Sequence, residues 1–421
     1  MILNKRFIYI LFFVVFIQAI KRSDRRKQMR KSLSTINEKN FNSTITGMEK
    51  LNALSRRLLK IDRYVNKTEE DNEDVEEVLL ENPDLYQGDL ILTEEQVNEV
   101  INSVVKDAEE KNIDVSDIKG TTENNSRKKR AFMTDPRMEW TQFPIAYYVE
   151  PEVNSEKIAA ALTQISEETC ITFTKIDAKN TSEPGIRFIK GSGCWSYVGR
   201  LFEKNLQDIS IGAGCDVNGI IQHEVCHALG IKHEQIRMDR DQYVKINTTN
   251  ILAGQEHNFV IVTSELNYSI PYDYGSAMQY RRNAFTSNGS PTMLPTNGLF
   301  GRTMGQREKL SFNDFKYLNL KYCSTICPTA KECFMGGYQD PHKCGYCKCP
   351  YGYIGTACLT KVLNATLCGT QQFTATTTNQ TLTITGEKDC YYYINTDKGY
   401  KIQLSGITTN LENNDPCKMS L

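Results

Sequence analysis

Residues Gly219–Asp241 read GIIQHEVCHALGIKHEQIRMDRD, and this stretch predicts both a helix and a metal site. His223 and His227 are spaced so that on a helix they lie one turn apart on the same face. Two neutral imidazoles at this spacing can bind one Zn²⁺ ion. Glu224, which lies between them, is then placed beside the metal as a general base.

Gly230 and His233 extend the pattern beyond this helix. Gly230 follows the last helical turn and can take the left-handed conformation that ends a helix. The chain can then return to the metal with His233 as a third nitrogen ligand. The HExxHxxGxxH pattern uses three of the five His in the chain. Three protein ligands and an open position for water predict a catalytic zinc site with one Zn²⁺ per chain.

A second motif lies at Tyr272–Tyr280, which reads YDYGSAMQY. The extended His motif followed by a Met-containing turn is typical of metzincins, in which Met278 would pack beneath the zinc site. Together, HEVCHALGIKHEQIRMDRD and SAMQY resemble the astacin family of zinc endopeptidases. The resemblance implies that Tyr280 is a displaceable zinc ligand that also hydrogen-bonds the tetrahedral intermediate.

The same resemblance gives Glu234 a structural role. In the family, the Glu after the third His is linked to the N-terminus of the mature enzyme, which here would be Ala131. An unpaired buried carboxylate is costly, so cleavage before Ala131 would order the domain. The alternative is that Glu234 pairs with the nearby Arg237.

Composition indicates a secreted protein of two or three domains. The chain has 421 residues, a net charge of −1 and 14 Cys, and the Cys content argues for an oxidising compartment. The charge and a mean hydropathy of −0.46 give no indication of nucleic-acid binding or of stable membrane insertion.

Lys5 and Arg6 precede an apolar run, which predicts a signal peptide over residues 1–20. An uncleaved signal anchor is the alternative.

Residues 21–130 are predicted to be a largely helical pro-segment. Asn-rich, charged stretches dominate it, and the stretch 94–110 (EEQVNEVINSVVKDAEE) has weak amphipathic periodicity. The segment ends in the basic run Arg127–Arg130, immediately before a globular pattern. We interpret this run as a proprotein convertase site, the alternative being a solvated basic patch.

A candidate inhibitory motif, YQGDL, lies inside this segment at Tyr86–Leu90. It resembles the FxGDI-like motif of the family. The Asp89 carboxylate could occupy the open zinc position and exclude the catalytic water, and Gly88 would let the backbone come close. We therefore expect Asp89 to be the zymogen switch, the alternative being an ordinary loop turn.

Residues 131–323 are predicted to form the catalytic domain. Residues 143–150 alternate as a strand does, and residues 155–170 show an apolar helical face with Ser155 as a plausible N-cap. Further strands are expected at ITFTKID, IRFIKGSGCWSYVG and QDISIGA, and residues 305–323 look like a closing helix.

The expected fold is α+β: a two-lobed, astacin-like metzincin domain with zinc at the floor of the cleft. An upper half contains the sheet, and a lower half begins after Gly230. An extended peptide substrate would pair with an exposed strand edge in the cleft.

The remaining cysteines point to two C-terminal modules. Residues 324–358 resemble a disulfide-rich EGF-like module, with a zinc ribbon as the competing interpretation. Residues 368–421 alternate like antiparallel β and resemble a truncated CUB domain. Cys226 and Cys417 are left without partners. The resemblances imply the pairs Cys170–Cys323, Cys194–Cys215, Cys327–Cys344, Cys333–Cys347, Cys349–Cys358 and Cys368–Cys390.

The sequence thus predicts a secreted zinc endopeptidase, made as a zymogen, that hydrolyses extracellular protein or peptide substrates of a matrix-like or cuticle-like kind. A rival function is a catalytically silent adhesion or matrix-binding protein with a relic protease domain. Relics typically lose the Glu or a His, whereas this chain keeps all four. Another metzincin branch, the matrix metalloproteinases, lacks a Glu after the third His and usually uses a Cys switch, and this pro-segment has no Cys.

Overall fold

The computed structural model describes residues 20–61, 74–75, 80–118, 136–177, 181–202, 204–262, 268–385 and 388–404. Almost all of the expected signal peptide, the basic run Arg127–Arg130, Ala131 and Cys417 lie outside these ranges. Within the ranges, no helix is both long enough and apolar enough to cross a membrane.

The described part of the N-terminal segment, by which we mean residues 21–130, contains three helices. The predicted helix over 94–110 is confirmed, and Thr93 and Gln96 form a capping box at its start. Phe41 and Leu54 of the second helix belong to the same apolar cluster as Val100 and Val104 of the third. The elements are α1 (Arg22–Ser32), α2 (Thr35–Leu58) and α3 (Glu94–Glu110), with a strand pair β1 (Ile20–Lys21) and β2 (Asp74–Val75).

The upper half of the catalytic domain contains a five-stranded sheet in the order β4-β3-β5-β7-β6. All neighbours are parallel except β6 and β7, which are antiparallel. Residues 207–211 are all buried, as expected of a strand covered on both faces. The strands are β3 (Ile145–Val149), β4 (Phe173–Lys175), β5 (Pro184–Ile189), β6 (Cys194–Trp195) and β7 (Asn205–Ile211).

Two helices of the upper half, α4 (Ser155–Glu168) and α5 (Asn218–Ala228), pack together beside this sheet. The prediction that Ser155 caps α4 is wrong. Asn154 is the N-cap, because its side chain accepts hydrogen bonds from the backbone N–H groups of Glu156 and Lys157. Ser155 is instead the first helical residue.

The lower half follows Gly230 and has its own apolar core, which includes Phe259, Met293 and Tyr280. The expected closing helix over 305–323 is shorter than predicted. It begins only at Phe312, because Ser311 caps it there together with Asp314. The elements are β8 (Val244–Ile246), β9 (Met293–Pro295) and α6 (Phe312–Leu318), continued by a π-helical turn over Asn319–Cys323.

The C-terminal region consists of short strand pairs held by disulfides. The expectation of antiparallel β after Cys368 is wrong for the described residues, where β14 and β15 pair in parallel. Cys226 is buried and free. The elements are β10 (Tyr338–Gln339), β11 (Cys347–Lys348), β12 (Tyr353–Ile354), β13 (Thr360–Lys361), α7 (Ala365–Cys368), β14 (Gln372–Thr374) and β15 (Tyr393–Asn395).

The structure contains the six disulfide pairs that the resemblances imply. The bond between Cys170 and Cys323 joins the connection between α4 and β4 to the end of the catalytic domain, across 153 residues. The others are Cys194–Cys215, Cys327–Cys344, Cys333–Cys347, Cys349–Cys358 and Cys368–Cys390.

Candidate metal centre

Three imidazoles converge at the end of α5. His223 and His227 lie one turn apart on this helix, and their Nε2 atoms are 3.1 Å apart. The helix ends in a Schellman motif, in which Gly230 has φ +84° and the Ile231 N–H donates to the Cys226 carbonyl. This reversal brings His233 back, so that its ring centroid lies 4.7 Å from that of His227. All three side chains are fully buried.

Each imidazole is oriented through its second ring nitrogen. The Nδ1 atoms of His223 and His227 lie 2.7 Å from the backbone carbonyls of Ala277 and Ile231, respectively. A carbonyl can only accept, so Nδ1 carries the proton in both rings and Nε2 is free to act as a ligand.

Gln87 of the N-terminal segment provides the partner for the third imidazole. Its side-chain oxygen Oε1 is 2.9 Å from Nδ1 of His233. Its backbone carbonyl accepts a hydrogen bond of 2.6 Å from the Tyr280 hydroxyl. Gln87 is fully buried and adopts a φ of 52°, which is uncommon for a residue other than glycine. The sequence reasoning missed this residue, because only the spacing of the YQGDL motif was informative.

Asp89 is the fourth member of the cluster. Its Oδ2 atom lies 3.0 Å from Nε2 of both His223 and His233. Its Oδ1 atom is 3.6 Å from Nε2 of His227. One oxygen of the carboxylate and the three Nε2 atoms therefore lie within 4.8 Å of one another.

The backbone around Asp89 fills the cleft beside strand β6. The Ser196 N–H donates to the Asp89 carbonyl, and the Ile91 N–H donates to the Ser196 carbonyl, which makes a parallel bridge at Leu90. Gly88 is needed at the turn before it, because a Cβ atom there would lie 2.5 Å from the Leu80 carbonyl oxygen. Residues 82–92 are all buried.

Glu224 lies next to His223 on α5 and is completely buried. Neither of its carboxyl oxygens has a hydrogen-bond partner among the described residues. Burial, together with the charge of the neighbouring Asp89, raises the pKa of the Glu224 carboxyl well above its usual range. A carboxyl group buried without a protein partner at such a site is a candidate acid or base.

Burial also controls the ionisation of the imidazoles. It lowers the pKa of His223 well below the usual value and that of His233 to about 4. Both rings are therefore neutral at physiological pH, which is the form that binds a metal ion.

The other predicted site residues surround this cluster. Met278 is buried in the same apolar core as Val225, and its backbone carbonyl accepts from the Glu234 N–H. The Tyr280 hydroxyl donates to the Gln87 carbonyl, and the Tyr280 ring centroid lies 4.8 Å from that of His233. Glu234 accepts hydrogen bonds from Arg237 and from the Asp273 N–H.

Asp314, on α6, is a second residue that the sequence reasoning missed. It accepts hydrogen bonds from the Ser276 hydroxyl and the Ala277 N–H. The carbonyl of Ala277 in turn accepts from His223, so Asp314 positions the first imidazole through one intervening residue. The one sequence signal for Asp314 is Ser311, three positions before it, because this spacing is typical of a helix capping box.

The donor set fits Zn²⁺. Nitrogen ligands at about 2.0 to 2.1 Å from a tetrahedral ion are separated by slightly more than 3 Å. The His223–His227 Nε2 distance and the distances from Asp89 oxygens to the three Nε2 atoms are 3.0 to 3.6 Å, and all four ligand atoms lie within 4.8 Å of one another. Neutral imidazoles with carbonyl or amide partners on their second nitrogen are the usual outer arrangement of such sites. His223, His227 and His233 would hold the ion, with Asp89 in the fourth position.

The chain is similar in sequence to known metalloproteinases. Residues 132–323 match the profile of the peptidase family described as Astacin. Zinc metalloproteinase nas-34 of Caenorhabditis elegans is 35% identical over 341 residues, which cover 80% of this chain and 55% of that protein. Blastula protease 10 of Paracentrotus lividus is 34% identical over 349 residues, which cover 79% of this chain and 55% of that protein. The chain thus spans about half the length of these relatives.

A solved structure is also similar. High choriolytic enzyme 1, a hatching enzyme zinc-protease from Oryzias latipes, aligns with 33% sequence identity and a TM-score of 0.40. The alignment covers 45% of this chain and 96% of that chain.

Proposed function

The chain belongs to the astacin family of zinc metalloendopeptidases, and from this premise we propose that the protein is a secreted endopeptidase made as a zymogen. Its substrates are extracellular proteins or peptides. The observation that carries the proposal is that three imidazoles converge beside Glu224, whose buried carboxyl group has no hydrogen-bond partner among the described residues. The six disulfides support an oxidising, extracellular location.

The geometry supports a set of catalytic roles. A Zn²⁺ ion held by the three His would act as a Lewis acid and lower the pKa of water toward neutrality. Glu224 accepts the proton of the attacking water and later delivers it to the leaving amine. Glu224 lies next to the ligand His223 on α5 and has no protein hydrogen-bond partner among the described residues, so its carboxylate is available for this proton. Tyr280, once released from Gln87, would donate a hydrogen bond from its hydroxyl to the oxyanion of the tetrahedral intermediate.

Latency is assigned to Asp89. Its carboxylate lies where water and the scissile carbonyl must enter, and the surrounding backbone occupies the strand edge that a substrate would use. Asp89→Ala in an uncut precursor should raise the rate of peptide hydrolysis above the detection limit of the assay. Asp117→Ala, at an exposed position, should leave the rate below that limit. Hydrolysis that stays undetectable in Asp89→Ala would contradict this role.

Activation is assigned to a proprotein convertase that cuts after Arg130, and the new Ala131 ammonium would then pair with Glu234. In the uncut chain Glu234 contacts Arg237, the alternative partner. The pKa of Glu234 is raised to about 8, chiefly by burial, so a new cation beside it would favour the ionised form. Extra residues added before Ala131 should lower both activity and stability, and unaltered values would count against the pairing.

The test of the function is hydrolysis of a peptide library. The sample is the protein that has been cut at Arg130 and then separated from residues 21–130. We expect cleavage that a zinc chelator abolishes and that added Zn²⁺ restores. Cleavage that survives complete removal of the metal, or no cleavage by protein loaded with Zn²⁺, would contradict the proposal.

A further inference from the structure

Helix α2 of the N-terminal segment is attached to the upper half of the catalytic domain by a buried asparagine. The Asn37 amide nitrogen donates to Oδ2 of Asp208 on β7. Its amide oxygen accepts a hydrogen bond of 2.6 Å from the Tyr197 hydroxyl. Asn37 is 3% exposed, and Asp208 and Tyr197 are also buried. Asn37 is therefore the acceptor for the Tyr197 hydroxyl and a second partner for Asp208, whose two carboxylate oxygens also accept from Arg187.

A second asparagine attaches the other end of α2 to the lower half. The Asn52 amide nitrogen donates to the Gly254 carbonyl. Its amide oxygen accepts from Nδ1 of His257 at 2.7 Å and from the His257 backbone N–H at 3.2 Å. Asn52 is 8% exposed and His257 is 2% exposed.

The two attachments lie about 22 Å apart along the helix, since each residue adds about 1.5 Å. One is on the sheet and the other is in the half that follows Gly230. Helix α2 therefore spans both halves of the domain, and the segment over residues 86–91 lies in the cleft between them. Between the two asparagines, the apolar face of α2 shares a buried cluster with Trp195, Tyr197 and Val260 of the catalytic domain.

An ion pair adds to these contacts. Glu81, which precedes the inhibitory motif, pairs with Arg281 of the lower half through both carboxylate oxygens. The asparagine, aspartate and glutamate contacts all come from residues upstream of 119, whereas the expected activation cut lies at Arg130. Hydrolysis of the Arg130–Ala131 bond breaks none of them.

We propose that the N-terminal segment, once cut from the chain, stays bound to the catalytic domain as a non-covalent inhibitor held by Asn37 and Asn52. This inference rests on the proposed function. Activity then depends on dissociation of the segment as well as on the cut, because Asp89 keeps its place among the imidazoles until α2 leaves both halves. Release breaks the hydrogen bonds of Asn37 and Asn52 and exposes the apolar cluster that α2 shares with Trp195 and Val260, which disfavours dissociation.

The test uses the full-length precursor, cut by a proprotein convertase. Size-exclusion chromatography at micromolar concentration reports whether the N-terminal segment co-elutes with the catalytic domain. A fluorogenic peptide assay on a dilution series down to nanomolar concentration reports activity per molecule. We expect co-elution, and we expect activity per molecule to rise at least about tenfold on dilution.

The double variant Asn37→Ala/Asn52→Ala should release the segment at a concentration at least about tenfold higher. In the bound state, the buried Tyr197 hydroxyl then lacks its acceptor and the Gly254 carbonyl lacks its donor from α2. The matched control is Asn98→Ala/Asn102→Ala, which alters two exposed asparagines of α3 and should behave as wild type. The wild-type dilution curve tests retention even if the double variant does not fold.

The outcomes separate the two proposals. Cut protein that elutes without its N-terminal segment and is active at every concentration overturns the retention proposal and leaves the proposed function standing. Cut protein that loses the segment on dilution but never hydrolyses the peptide supports retention and contradicts the proposed function. A double variant with an unchanged release concentration overturns the role of the two asparagines.

Discussion

The orientation of each imidazole depends on one oxygen, and the three oxygens differ in origin. Two are backbone carbonyls of the catalytic domain, those of Ala277 and Ile231. The third belongs to the Gln87 side chain, and so to the segment that activation removes. In the proposed activation, His233 would therefore change its outer partner, whereas the other two imidazoles would keep theirs.

The substitution Gln87→Ala tests this dependence. It should weaken zinc retention by the precursor by roughly tenfold or more, because an imidazole ligand without its outer partner is less well oriented and less basic. Competition with a chromophoric chelator measures the effect without any catalytic assay. Gln28→Ala, at an exposed position of α1, is the control. Equal zinc retention in Gln87→Ala and wild type would mean that the contact is incidental.

Asp314 predicts a pH dependence of stability. Burial and the nearby Asp273 raise its pKa to about 6 from an ordinary 3.8, so folding favours the protonated form. The stabilisation is present in full below about pH 4 and is lost as the pH rises through about 6, by at most ~3 kcal/mol.

The amide in Asp314→Asn cannot ionise. The unfolding free energy of this variant relative to wild type should therefore increase between about pH 4.5 and about pH 7, as measured by urea denaturation. A difference that is the same at both pH values would show that Asp314 does not titrate in this range.

At the scale of elements, local patterns were predictable and long-range pairing was not. The periodicity of 94–110 and the HExxH spacing give α3 and α5 correctly, because helices depend on neighbours in sequence. The parallel pairing of β14 with β15 could not be predicted, since alternation specifies a strand but not its partner. The role of Gln87 was hidden for the same reason, because His233 is 146 residues away.

The packing of α2 against α3 gives a prediction at this scale. A Cβ atom on Gly47 of α2 would lie 2.2 Å from Cγ1 of Val97, whose β-branched side chain is stiff in a helix. Gly47→Ala should therefore destabilise this helix pair by about 1–3 kcal/mol, which outweighs the gain of about 1 kcal/mol in helix propensity.

Hydrogen exchange of the α2 amides measures this local stability. Faster exchange is expected in Gly47→Ala, and Val97→Ala in the same chain should restore protection by making room for the new methyl group. Slower exchange in Gly47→Ala than in wild type would show that helix propensity, and not the close contact, controls the pair.

At the scale of the whole molecule, three apolar clusters describe the precursor. Among the described residues, one cluster joins the sheet and α5 to Met278 and α6, one is the core of the lower half, and the third lies between the N-terminal segment and the catalytic domain. The metal centre sits where the three meet, so that Asp89, Glu224 and the imidazoles are all buried in the uncut chain. The proposed activation would therefore expose the site by removing the N-terminal segment.

The proposed catalysis depends most on Glu224. The most direct test measures peptide hydrolysis and zinc content in the Glu224→Gln variant, after it has been cut at Arg130 and separated from residues 21–130. Glu152→Gln, at an exposed position, is the control. We predict that Glu224→Gln retains its zinc and loses hydrolysis by about 10²-fold or more, because the proton acceptor is gone while the ligands remain. Hydrolysis near the wild-type rate in a zinc-loaded Glu224→Gln protein would contradict the account.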